Sequence, residues 1–304
     1  MNKFFVLAAC FIGLTLFSCS DKGEDTPDIT SEVESSPSFS YVVDASGNGK
    51  VYEGASYKVT FIDNKQTANI EMRGVRFTPN MNATGYIFSN LPFRGDDSTK
   101  AKIISIDTEA LTPDKASSPV VTNLEMVSLA EKEIDVDGDS KPENVGGFAI
   151  RYIIDGKYAV TEIPYIAVFE GTTSTVNNNT HNSFVSSKST YVVEIDPDMM
   201  KAVLKINDPS FDANMPSLGT MVFGSFDQDK IDEYGSIDVT LTEGGYSLKC
   251  NRLIPFIAGT PYPRFAITNL KMNAYPGDKS ELSFNCMGIY SVTAVFGAAY
   301  TPGK

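Results

Sequence analysis

The residues best suited to chemistry form one short run, Asp135-Val136-Asp137-Gly138-Asp139-Ser140-Lys141-Pro142-Glu143. A tightly wrapped hard cation needs several oxygen ligands, and a short loop supplies them from alternate residues. Asp135, Asp137, Asp139 and Glu143 stand at relative positions one, three, five and nine, with the carbonyl of Lys141 at seven. A structural calcium ion is the one cofactor this pattern suggests; an acidic hairpin tip without an ion is the plainer reading of the same residues. Glycine sits at relative position four, Glu143 stands where aspartate is usual, and no glutamate follows at position twelve to grip an ion with both oxygens.

The run resembles the calcium loops of integrin-type β-propeller repeats, in which a DxDGD loop joins two strands. The IRYII segment at 150–154 suits a strand, and no helix follows as an EF-hand would need.

Other chemistry has fewer candidates. Cys250 alternates with Tyr246 and Leu248, and Cys286 with Leu282 and Phe284, so both thiols face one core; an oxidising compartment permits a disulfide between them, and two buried free thiols fit equally well. His181 is the single histidine, set in a polar loop with no triad or zinc partners nearby in sequence. A glycosidase needs two carboxylates at a spacing set by the fold, and the 38 acids are too many for sequence to choose a pair. The loop Pro255–Pro263 carries Phe256, Ile257 and Tyr262 and is too apolar for an idle turn, so it reads as a partner-contacting loop or as a cap folded over the core. Tryptophan is absent, which weakens a glycan platform.

The elements that must position these groups are strands, and they repeat. YKVTFIDNKQTANIEMRGVRFTPNM from Tyr57 returns as YVVEIDPDMMKAVLKINDPSFDANM from Tyr191, with Val59 matching Val193, Ala68 matching Ala202 and Met81 matching Met215. VTNLEM at Val121 returns as ITNLKM at Ile267, and KYAVTEIP at Lys157 as IYSVTAVF at Ile289. Apolar residues alternate with period two throughout, and no helical period persists beyond about two turns. The expected fold is all-β, with two tandem antiparallel β-barrel or β-sandwich repeats over 39–164 and 165–304, folding as independent units rather than as halves of one continuous structure.

Residues 1–18 read as a signal peptide, with Lys3 before a run too short to span a bilayer. Leu16-Phe17-Ser18-Cys19 resembles a bacterial lipobox, which implies a lipid on Cys19 and attachment to the membrane through it. Residues 19–38 are acidic and poor in large apolar side chains, so a flexible tether is expected. The cluster Asp21, Glu24, Asp25 resembles the export signal of Bacteroidetes surface lipoproteins, implying an outer-membrane lipoprotein on the cell surface; a periplasmic face suits a plain acidic linker.

The repeat resembles the lipocalin-like or calycin-like β domains of Bacteroidetes lipoproteins, on Tyr57, Val59, Phe61, Ala68, Ile70 and Phe77 and again on Tyr191, Val193, Ile195, Ala202, Leu204 and Phe211. That resemblance implies a fold and no settled activity. A net charge of −13 disfavours nucleic acid as a partner. The expectation is a non-catalytic, lipid-anchored envelope protein that binds a small molecule, a glycan or a protein. The alternatives are a carboxylate-based, glycosidase-like hydrolase and a structural, fimbria-like surface component.

Overall fold

The computed structural model describes residues 27–302 apart from 98, 108, 216 and 217. The expected signal peptide, the expected lipidation site at Cys19 and the first part of the expected tether lie outside the described residues.

The first unit runs through β1 (Thr30–Glu34), β2 (Ser38–Val43), β3 (Gly49–Glu53), β4 (Ser56–Ile62), β5 (Thr67–Val75), β6 (Thr84–Pro92), β7 (Arg94–Asp96), β8 (Ala101–Ile106), β9 (Val121–Ile134), β10 (Glu143–Ile154) and β11 (Tyr158–Pro164). The second continues with β12 (Ile166–Asn177), β13 (Ser183–Ser186), β14 (Thr190–Asp196), β15 (Lys201–Asn207), β16 (Thr220–Phe223), β17 (Ile237–Thr242), β18 (Gly245–Leu253), β19 (Phe256–Ile257), β20 (Thr260–Pro261), β21 (Ile267–Ala274), β22 (Ser280–Cys286), β23 (Tyr290–Phe296) and β24 (Thr301–Pro302). Helix α1 (Gln228–Tyr234) is a short surface element capped by Asp227.

In the second unit the ladder runs β12-β23-β22-β21-β18-β17-β15-β14 and returns to β12, so eight antiparallel strands close into a barrel. Closure removes the free edges that an open sheet would expose. The interior is filled by side chains: Phe169, Tyr191, Phe211, Phe223, Tyr246 and Phe296 are all at most 2 % exposed.

The first unit follows the same circuit with two corners. β1 pairs β4 as the first half of β12 pairs β14, and β2 pairs β11 as the second half of β12 pairs β23. What is one strand in the second unit is therefore two in the first, parted at Ser35-Ser36-Pro37. At the other corner Leu91 and Pro92 pair β5, and after Phe93 the chain pairs β8 as β7. Proline cannot donate to a ladder, and strands that switch sheets at such bends turn a barrel into two facing sheets. Sheet β1-β4-β5-β6 thus faces sheet β3-β2-β11-β10-β9-β8-β7 across a core of Tyr57, Phe61, Ile70, Phe88, Met126 and Tyr152.

Two expectations are corrected. The tether does not extend to residue 38, because Thr30–Glu34 is a strand whose Val33 lies opposite Val59; partner-strand hydrogen bonds and one apolar contact outweigh its polar composition. The units are also not independent. Phe39 and Ile163 lie in the second unit's core, Ile134 and Val145 cluster with Val168 and Val192, and β24 returns to pair β10.

Candidate functional site

The buried polar residues of the two units differ, and the ladders allow the units to be compared position by position. With Met126 matching Met272, Lys102 opposite Ser128 corresponds to Tyr246 opposite Ala274. With Val59 matching Val193, the position of Phe169 is taken by Ser35. Two rings that help fill the barrel, Tyr246 and Phe169, thus have no ring at the matching positions of the first unit.

A cavity of about 360 Å³ opens there, beside the corner at Ser36, with Val33, Phe61, Leu129 and Phe148 among its walls. Lys102 and Ser128 are direct cross-strand neighbours on β8 and β9, so their side chains share a face, and Ile104 and Met126 on that face lie in the core. The Lys102 ammonium donates to Asp63 Oδ1 at 2.6 Å and Ser31 Oγ at 2.7 Å and sits 4.7 Å from the centre of the Phe61 ring. Ser128 is 4 % exposed, and its hydroxyl has no hydrogen-bond partner among the described residues. One ammonium and one unengaged hydroxyl over aromatic walls suit a molecule with an apolar body and a single polar head.

Behind this wall lies a buried carboxylate that sequence reasoning did not single out. Phe148 stacks on Tyr57 with ring centres 5.9 Å apart. The Tyr57 hydroxyl donates to Glu162 Oε1 at 2.7 Å, Ser40 also bonds Oε1, and Ser38 donates to Oε2 at 3.0 Å. Tyr152 adds a hydroxyl 3.0 Å from that of Tyr57. Burial pushes the Glu162 carboxyl above the ordinary glutamate range, partly countered by these hydroxyls. In the second unit the match of KYAVTEIP to IYSVTAVF puts Ala294 at this position, and the Tyr191 hydroxyl bonds Thr173 instead. That contrast was the available signal.

The acidic loop is the tip of the β9–β10 hairpin, and one carboxylate oxygen from each of Asp135, Asp137 and Asp139 lies within 4.8 Å of the others. Each also accepts backbone N–H groups of its own loop: Asp135 from Gly138 and Ser140, Asp137 from Asp139, and Asp139 from Lys141. The Lys141 ammonium holds Asp139 below the usual carboxylate range, and Glu143 accepts from the Val136 N–H. The loop docks on the second unit, where the Asn207 amide donates to the carbonyls of Asp135 and Val136. Gly138, at φ +81°, lies so close to Thr220 that a Cβ there would come within 1.8 Å of Oγ1.

The remaining candidates are dispersed. The disulfide option is corrected: Cys250 and Cys286 are free and buried, on strands separated by β21. Two inter-strand spacings are about 9–10 Å, beyond the roughly 7 Å limit between the Cα atoms of a bridge. Burial pushes their thiols up to about 11 and about 12. Phe256 and Ile257 form a small hairpin folded onto β16, with Phe256 against Tyr234, which leaves Tyr262 43 % exposed. His181 is an exposed turn residue at φ +59°.

No protein-family model and no curated protein matches this chain. Among the described residues no helix is long and apolar enough to cross a membrane.

Proposed function

We propose that the protein is a non-catalytic binding protein of the bacterial envelope, held to the outer membrane by a lipid on Cys19, and that it takes a small molecule into the open end of its first unit. The observation that carries this reading is the contrast between two copies of one fold. The barrel copy is filled with rings at the end where its partner keeps a cavity of about 360 Å³, inside the range of about 300–1,000 Å³ usual for small-molecule sites. The ligand has an apolar body for Phe61 and Phe148 and one polar head for Ser128 and Lys102. Hydrolysis finds less support: Glu162 is tied into a core network of hydroxyls, and Glu125 is paired with Arg151.

The test is calorimetric titration with octanoate and 1-octanol, in the wild type and in Lys102→Tyr, which writes the second unit's plug into the first. Saturable binding of either probe that disappears in the folded Lys102→Tyr protein supports the reading; binding undiminished by the plug sinks it.

A further inference from the structure

The outer face of the first unit carries a second cleft, where the two units meet. Three positions there are apolar in the first unit and polar in the second. Ile103, Val127 and Ala149 are consecutive ladder partners across β8, β9 and β10. Their counterparts Ser247, Asn273 and Glu281 form the same ladder in the barrel. A face that is solvated in one copy is therefore apolar in the other.

Turns of the second unit roof this face without filling it. A Cβ on Gly277 would meet Ala149 at 3.2 Å and Val127 at 3.5 Å, and the Gly244 N–H donates to Thr161 Oγ1 at 3.0 Å. Between roof and floor is a cleft of about 370 Å³. Arg94 pairs with Ile103 in the ladder, so the floor runs as one row from a guanidinium through three apolar side chains. Arg151 lies in the next row, bonded through Nε to Glu125 at 2.7 Å. Arg94 has no acidic partner among the described residues, and Tyr275 stands on the rim, 43 % exposed.

We infer that this cleft binds a flat apolar anion, with its carboxylate on Arg94 and its body along Ile103, Val127 and Ala149. Four adjacent strands span about 14 Å, the length of a two-ring carboxylate with its contacts. Arginine in such a place selects a planar, bidentate oxyanion, and the apolar row selects what it is attached to. The site is separate from the end cavity and does not depend on the function proposed for it.

The experiment is a fluorescence titration of the purified protein with 2-naphthoate and with the uncharged 2-naphthalenemethanol. The expected result is saturable naphthoate binding that weakens about tenfold in Arg94→Gln, the loss of one charge-assisted contact. Val127→Asn, which restores the second unit's residue on an outer face, should weaken both probes. Lys102→Tyr, which blocks the end cavity, should leave naphthoate binding unchanged. Absence of saturable naphthoate binding to the wild type overturns the inference, and so does binding indifferent to both Arg94→Gln and Val127→Asn, or abolished by Lys102→Tyr alone.

Discussion

Glu162 is a carboxyl group held in surroundings that disfavour its charge. It is 4 % exposed, and the groups facing it are hydroxyls: Ser38 and Ser40 from β2, Tyr57 from β4, and Tyr152 from β10 beyond Tyr57, with no cation among them. Because burial raises its folded pKa above the unfolded value, its contribution to stability is complete below about pH 4.5 and is lost as pH climbs through the folded value. Each pH unit of that raise corresponds to about 1.4 kcal/mol. Glu162→Gln, which cannot ionise, should therefore gain stability relative to the wild type as pH rises from about 4.5 to 8. Urea denaturation at several pH values reads this directly; a stability difference independent of pH would show that Glu162 keeps its unfolded pKa within the fold. The residue was visible only by setting one repeat against the other, since a glutamate between Thr161 and Ile163 in an alternating strand reads as a solvated position.

At the scale of elements, the corner between β1 and β2 governs the shape of the first unit. β1 is short, largely polar and held mainly by its ladder to β4, yet without it β4 becomes an open edge beside Val59 and Tyr57. Free, apolar strand edges recruit other chains. A chain that begins at Ser38 should unfold at least about 5 °C lower in a thermal melt and self-associate in sedimentation velocity, whereas an unaltered Tm would show that β1 contributes nothing. The strands themselves were legible, because alternation such as Tyr57, Val59, Phe61 is local. β1 was not, since its residues carry a tether's composition and only the neighbouring β4 makes them a strand.

For the whole molecule the decisive contacts are those between the units. Tyr300 joins the cluster of Ile134, Val145, Val168 and Val192, while Thr301 Oγ1 donates to the Gly146 carbonyl at 3.0 Å. Asn207 and Thr220 hold the acidic loop from the other side. The units should consequently unfold together, as one calorimetric transition in the intact chain. Ending the chain at Gly297 removes β24 and Tyr300, and should split that transition in two with the lower Tm belonging to the first unit. A single unshifted transition would show that the C-terminal strand is dispensable to the coupling.

The all-β class, the duplication and the strand periods were set by sequence alone, because alternation reports which face of each strand is buried without reference to what buries it. The end cavity, the Glu162 network and the junction cleft were decided by tertiary structure. Lys102 and Ser128 lie far apart in the chain and meet only through the β8–β9 ladder. Ile103, Val127 and Ala149 look like ordinary strand residues until the turns of the second unit are laid over them. Periodicity is a property of neighbours along the chain, whereas a site is a property of neighbours in space, and which strands become neighbours depends on the whole set of pairings at once.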